Sequence, residues 1–216
     1  MIKQLSNVNL AQLPGYQFFH NNSITQAGGV ALYIKDSLNV NIRYDLLFHD
    51  IEYESIWVEI TVRSAKLNNI IFGVVYRHPQ NSIPVFTDKF SEFLLTISTE
   101  NKDIYITGDI NVDSLKMDSN EHISDYFDML SSYSCTNAIK SPTRITANSK
   151  TSIDHFYYNN PSKTIITSTV LSDISDHFPL LITIKNSNVS ENKESFFTRN
   201  YSKLNNHALW LTLQQC

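Results

Sequence analysis

IIFGVVYRHPQNSIPVFTDKFSEFLLTISTENKDIYITGDIN, residues 70–111, changes its hydrophobic period twice, and those changes set the fold class. Ile70 to Tyr76 is a nearly continuous apolar run with a single glycine, Gly73, and Arg77-His78-Pro79 ends it. Such a run predicts a buried strand that stops in a loop. From Pro84 onward Phe86, Phe90, Phe93, Leu94 and Ile97 recur at spacings of four, three, one and three, with Asp88, Lys89, Ser91 and Glu92 between them. That period predicts an amphipathic helix whose aromatic stripe faces a sheet. Ile104-Tyr105-Ile106-Thr107 resumes a strand and runs into Gly108-Asp109-Ile110-Asn111-Val112-Asp113.

The same two periods extend outward on both sides. Gly28-Gly29 feeds Val30-Ala31-Leu32-Tyr33-Ile34, a turn followed by a buried strand. Ile56, Val58, Ile60 and Val62 alternate with Trp57, Glu59 and Thr61, which is a strand with two distinct faces. A second helix is predicted from Ser119 or Asn120, either of which can cap it, to Tyr133, with Ile123, Phe127 and Leu130 on one face. Further strands are expected at Ser152 to Tyr158, Thr164 to Leu171 and Leu180 to Ile184. The pattern is that of an α/β or α+β fold over residues 1–185, with antiparallel pairing favoured by the many strand-to-strand connections. From about Asn186 the chain is polar and aperiodic and reads as a linker, residues 186–216, ending in the apolar stretch Leu209-Trp210-Leu211.

With 216 residues, 42% of them apolar, the chain can bury a real core and is too hydrophobic for disorder. No apolar run approaches the roughly 18 to 20 residues of a membrane helix, and Met1 to Gly15 lack the pattern of a signal peptide. An intracellular, non-membrane protein is expected. Cys135 and Cys216 form no metal-ligand or redox spacing, which fits a reducing compartment. A formal charge of -4 argues against a broad basic surface for nucleic acid, yet it leaves room for an enzyme that collects a divalent metal with carboxylates.

Three groups at strand ends carry candidate chemistry: Asp109 with Asn111, Asp154 with His155, and Asp176 with His177. In Gly108-Asp109-Ile110-Asn111, residues two apart in an extended segment point the same way, so a carboxylate and an amide can face one ligand. The same four residues are also ordinary turn formers. In Ser175-Asp176-His177-Phe178-Pro179, the carboxylate can take a hard metal and the imidazole can hold or move a proton, or Asp176 can simply cap a turn. Asp154 lies between Ile153 and Phe156 in a predicted strand and needs a partner, for which His177 is a candidate. Tyr76 and Arg77 end an apolar strand, where a phenol and a guanidinium can emerge at one rim and the Arg suits phosphate. His20, His49, His78, His122 and His207 show no metal-site spacing and read as loop or surface residues. Asp173 ranks behind Asp176, and Asp113, Asp118, Asp125 and Asp128 read as solvent-facing or capping groups.

Taken in chain order, Leu13-Pro14-Gly15-Tyr16, Gly28-Gly29-Val30-Ala31-Leu32-Tyr33, Val75-Tyr76-Arg77, Gly108-Asp109-Ile110-Asn111, Ser152-Ile153-Asp154-His155 and Ser175-Asp176-His177-Phe178-Pro179 resemble the endonuclease/exonuclease/phosphatase family. The strongest likeness is to the endonuclease domain of non-LTR (LINE-type, jockey-like) retrotransposons, and it covers residues 4–185. The resemblance implies a four-layered α/β sandwich of two packed, mainly antiparallel sheets with a Mg2+ (or Mn2+) phosphodiesterase site at one end. By that resemblance Asp109 is the base that prepares the attacking water and Asn111 holds the phosphate or that base. Asp176 belongs to the metal shell, His177 stabilises the transition state, Asp154 orients His177, Tyr76 contacts the scissile phosphate and Arg77 neighbours the DNA backbone. The tail Arg199-Asn200-Tyr201-Ser202-Lys203 is similar to the segment leading toward a reverse transcriptase, so DNA and a C-terminal reverse transcriptase are the partners implied, and the nucleus the place of action.

One departure from the family pattern sets a further expectation. Family members carry an Asn and a metal-binding Glu ahead of the Leu-Pro-Gly-Tyr segment, whereas no residue of Met1 to Leu13 is acidic. The chain is therefore expected to lack the first strands, to be weakly active or inactive, and to be less stable than a full domain. Two other readings compete with DNA nicking. One keeps the site and changes the substrate to a lipid or small phosphoester; the other is a non-catalytic retroelement remnant with at most residual DNA or partner binding.

Overall fold

The structure, a computed structural model, describes residues 11–23, 28–47, 52–62, 67–172 and 174–185. The expected linker and its tail, Asp173, His49 and His207 lie outside the described residues. The strands and helices run in the order β1 (Tyr16–Asn21), β2 (Val30–Lys35), β3 (Asn39–Ile42), β4 (Tyr53–Thr61), β5 (Ile70–Arg77), α1 (Ile83–Ser98) and β6 (Asp103–Asp109). Then follow α2 (Glu121–Ser132), β7 (Thr136–Asn137), β8 (Arg144–Ile145), β9 (Lys150–Thr151), β10 (Asp154–Tyr158), β11 (Thr164–Thr169) and β12 (Leu180–Lys185). This is the expected mixed α/β fold.

Six strands form the central sheet in the order β3-β4-β5-β6-β10-β7. All its neighbours are antiparallel except β5 and β6, which are parallel because α1 carries the chain back across one face between them. On that face Trp57, Ile71, Val75, Ile104 and Ile106 pack against Phe86, Phe90, Phe93, Leu94 and Ile97 of α1 and Ile123, Tyr126 and Leu130 of α2. Asn120 caps α2, its side chain accepting the Ile123 N–H at 3.2 Å. The buried aromatic of α2 is Tyr126, which is fully enclosed and shares a 3.0 Å hydroxyl contact with Tyr157, while Phe127 is only partly buried. Gly73 lies opposite Trp57 in the β4–β5 ladder, and a Cβ there would sit 2.1 Å from the indole. The glycine in the apolar run is thus the seat of the Trp57 ring.

Alternation along the strands turns the intervening residues to the opposite face. There Ile70, Phe72, Tyr105 and Phe156 meet Ile165, Leu180 and Ile182 of the β11–β12 hairpin. The β1–β2 hairpin covers β4 and β5 on the same side, with Val30 and Ile34 buried. The six-stranded sheet is therefore the middle layer, between helices and a second β layer made of hairpins. No helix among the described residues is long and apolar enough to cross a membrane.

Candidate active site

The ladders of the central sheet align four side chains in one row. Glu54 pairs with Tyr76 across β4–β5, and Asp154 pairs with Asp109 across β6–β10. Val74 is level with Thr107 in the parallel β5–β6 pair, which brings Tyr76 level with Asp109 two residues later. Since side chains two apart share a face, Glu54, Tyr76, Asp109 and Asp154 stand side by side on the face away from the helices.

His177 completes the group from outside the sheet. The segment that carries it is stitched to residues 143–145: Phe178 N–H donates to Thr143 O at 2.8 Å, Ile145 N–H donates to Asp176 O at 3.1 Å, and Arg144 and His177 form an antiparallel bridge. His177 Nδ1 lies 2.9 Å from Asp154 Oδ2 and donates to that carboxylate. The Thr143 hydroxyl donates to the same Oδ2 at 2.6 Å while accepting the backbone N–H groups of Ile153 and Asp154, each at 3.1 Å. An oxygen of Asp109, an oxygen of Asp154 and a ring nitrogen of His177 all lie within 4.8 Å of one another.

Burial shapes the proton affinity of this group. Asp109 is pushed up to about 6, first by removal of its carboxylate from water and next by the negative charge of Asp154, while His177 opposes the shift. Its Oδ1 accepts the Asn111 N–H at 3.1 Å. Burial also raises the Tyr76 phenol, and the charges of Asp109 and Glu54 add to it, so Tyr76 is a neutral donor at ordinary pH. Gly108 has φ +142°, and a Cβ there would meet Val75 O at 1.9 Å. No other residue lets β6 lie this close to β5 while presenting Asp109.

Two expected site residues are placed differently. Arg77 is 1% exposed and turned away from the row, toward the helix face. Its guanidinium donates to the carbonyls of Ile110 at 2.7 Å, Asn111 at 2.7 Å and Asn81 at 2.5 Å, and stands over the Phe86 ring at 5.8 Å. A group enclosed in this way does not meet a nucleic-acid backbone, and the expectation of an Arg77 phosphate contact is corrected to one of holding the 110–111 loop. Alternation is the reason: Tyr76 and Arg77 are successive residues of β5 and take opposite faces. Asp176, expected as the metal carboxylate, lies outside the three-residue cluster, with its side chain 44% exposed and paired to Arg144 Nε at 2.6 Å. That ion pair holds its carboxyl below the usual range.

Asn111 has φ +53° and donates through its side-chain amide to Arg77 O at 2.8 Å, so it is locked to the strand end beside Asp109. Asp113, read as solvent-facing or capping, is 9% exposed and does cap the 3-10 turn after it, accepting the Leu115 N–H at 3.3 Å; it also ties this loop to the segment before β10 by accepting the Ser152 N–H at 2.9 Å. Glu54, Thr143 and Arg144 were not singled out from sequence. For Glu54 a signal existed: it falls in phase with Ile56, Val58 and Ile60, so the strand pattern sends a carboxylate to a buried face.

The donor set, two carboxylates and an imidazole, suits a divalent cation by its chemistry. One rigid end of the sheet, with a partly buried carboxylate of raised proton affinity, an oriented imidazole and a neutral phenol, is also suited to stabilising charge that develops on a bound oxyanion.

Comparison with known proteins agrees with this geometry. Solved structures with the same fold include the endonuclease domain of TRAS1, a telomere-specific non-LTR retrotransposon, at 15% identity and a TM-score of 0.61, covering 81% of this chain and 80% of that one. A 3′ phosphatase, NExo, from Neisseria bound to product DNA hairpin matches at 13% identity and a TM-score of 0.62, covering 85% of each chain. ANGEL2, a 2′,3′-cyclic phosphatase, matches at 14% identity and a TM-score of 0.53, covering 79% of this chain and 74% of that one. At these identities the likeness is one of fold. No curated protein sequence matches. The pattern of the endonuclease/exonuclease/phosphatase family matches residues 2–177, more than three quarters of the sequence and every residue of the row and its imidazole, so the chain belongs to that family.

Proposed function

We propose that this chain is a metal-dependent phosphodiesterase acting on DNA, the endonuclease domain of a non-LTR retrotransposon that nicks its target. The observation that carries the reading is the convergence of Asp109, Asp154 and His177 within 4.8 Å at the end of the row that also holds Tyr76. The likeness to the retrotransposon domain supports the choice of DNA. In this reading residues 1–185 form the nuclease domain, and 186–216 lead toward a reverse transcriptase in a parent polyprotein that works in the nucleus.

The proposed roles rest on the family resemblance and are supported by the geometry. Asp109, with its carboxyl at about 6, is mostly ionised at neutral pH yet basic enough to receive a proton from the attacking water. Asn111, fixed by Arg77 O, keeps that carboxylate in place. Asp154 holds the proton of His177 on Nδ1, which fixes the ring as a donor toward phosphoryl oxygens when protonated on both nitrogens. Tyr76 donates from the other side of Asp109 to the scissile phosphate. A Mg2+ or Mn2+ ion would be held at this cluster beside the base Asp109, with the Asp154 carboxylate as its acidic ligand in place of the expected Asp176, and would offset charge on the phosphoryl oxygens. Turnover is expected to be slow, because among the described residues such an ion finds only two carboxylates in this cluster.

The test is plasmid nicking under enzyme excess with Mg2+, with Mn2+ and with a chelator, alongside a 3′-phosphate oligonucleotide. Slow, cation-dependent nicking that disappears in Asp109→Ala is expected. Release of 3′ phosphate without nicking would replace the endonuclease reading with a phosphatase, and no turnover of either substrate would leave a non-catalytic remnant.

A further inference from the structure

Glu54 is a carboxylate enclosed in the sheet, 4% exposed and in phase with Ile56 and Val58. Burying it requires several donors, and three are present. The Ser23 hydroxyl donates to Oε1 and the Gly29 N–H to Oε2, both in close contact. The third is His78, whose Nε2 lies 3.1 Å from Oε1. An ionised carboxylate only accepts, so His78 carries a proton on Nε2. The hairpin end is built around this group: Gly28 has φ +141°, and a Cβ there would fall 2.8 Å and 2.9 Å from the two Glu54 oxygens.

The His78 ring in turn stands edge-on to Tyr76, with centroids 4.9 Å apart and planes at 79°. A hydrogen on the edge of one ring over the face of the other is a favoured aromatic geometry. Contacts therefore run from Glu54 through His78 to Tyr76, and Tyr76 is level with Asp109 in the row. An anchor for the β1–β2 hairpin accounts for the Ser23 and Gly29 bonds. It does not account for an imidazole locked by the same carboxylate against the phenol of the site.

We infer that Glu54 and His78 are positioning residues for Tyr76: Glu54 fixes the tautomer and ring plane of His78, and the His78 ring confines the phenol to the side facing Asp109. The inference rests on the phosphodiesterase reading above for its effect on turnover, while the positioning itself is a property of the folded chain. Neither residue touches the reacting atoms.

The experiment uses the full chain with 13C-labelled tyrosine rings, Tyr76→Phe to assign the Tyr76 signal, and the variants His78→Ala and Glu54→Gln. His78 is partly exposed, so His78→Ala is the variant least prone to unfolding, and the Tyr105 ring signal, from farther along the same face under the β11–β12 hairpin, reports whether the fold is kept. In His78→Ala the Tyr76 resonances shift and broaden while those of Tyr105 stay in place. Under enzyme excess the nicking step slows by about tenfold with the DNA concentration at half-saturation unchanged, the pattern of a misplaced group rather than of lost binding. Glu54→Gln, which cannot accept from the same donors on both sides, moves the Tyr76 signal in the same direction. Unmoved Tyr76 resonances in a folded His78→Ala protein overturn the inference whether or not the chain cuts DNA. Cleavage that survives Asp109→Ala overturns the reading of the site and leaves the resonance shift to stand.

Discussion

Replacing Arg77 by methionine separates a guanidinium that holds the fold from one that holds phosphate. Methionine keeps much of the apolar stem and removes the donors, so the carbonyls of Ile110, Asn111 and Asn81 lose the guanidinium at once. Losing this donor costs up to about 1 kcal/mol per acceptor, most at the buried Ile110 carbonyl and less at the part-buried Asn111 and Asn81 carbonyls, and the contact with the Phe86 ring adds about 0.5–1 kcal/mol. Against this stands the relief of no longer burying a cation; burial already draws the Arg77 proton affinity down. The net loss is about 2–4 kcal/mol, or for about 3 kcal/mol a fall in melting temperature of about 6–12 °C in a domain of this size. Urea unfolding followed by tryptophan fluorescence measures it, since Trp57 lies in the same core. An unfolding midpoint equal to that of the parent, together with weaker DNA binding and a shallower salt dependence, would refute the buried clamp and restore Arg77 to the surface.

Three further outcomes are expected. His155 is fully buried, with Nε2 donating to Ser152 O at 3.0 Å, and burial lowers it to about 4. Between about 6.5 and 4 the unfolded chain takes up a proton that the folded one refuses, so stability present above that window is lost as pH falls through it, by on the order of 3 kcal/mol; urea midpoints at pH 7.5 and 5 in the parent and in His155→Gln show a smaller pH effect in the variant. The Asp109 carboxyl, followed by 13C NMR in chelator, titrates near 6, and Asp154→Asn lowers that midpoint because one negative neighbour is gone; a higher midpoint would be evidence against the shared negative field. Gly108→Ala meets both an unfavourable φ of +142° and the Val75 carbonyl, and is expected to lower stability by more than about 2 kcal/mol in the same denaturation assay.

Much of the sheet was legible because burial on both faces leaves a plain mark. The Ile70 to Tyr76 run, the alternation after Ile56 and the aromatic stripe of α1 each correspond to an element. Tyr16–Asn21 went unread because its polar residues fall on both faces, and Asn39–Ile42 because its alternation lasts only four residues. The β8 and β9 strands are two residues each, too short to show any period. Parallel pairing of β5 with β6 is set by the α1 crossover and leaves no trace in either strand's own sequence. At the site, Asp109, Asp154 and His177 are candidates as polar groups beside apolar strands, and the 108–111 and 175–177 segments read equally as turns until the family resemblance is weighed. The direction of Arg77 and the burial of Glu54 were written in the same alternation, but a charged residue draws the eye toward solvent.

The alignment of Glu54, Tyr76, Asp109 and Asp154 depends on the count of residues along four separate strands. Sliding any one of them by a single residue would carry its functional group through the sheet to the helix side and put a neighbour of different chemistry in its place, Tyr53 or Ser55 for Glu54 and Gly108 or Ile110 for Asp109. Insertions confined to the connecting loops leave the row untouched. The site is therefore tolerant of length change between its strands and intolerant of it within them, and a frame of this kind can exchange the loops that meet a substrate while its reactive edge stays fixed.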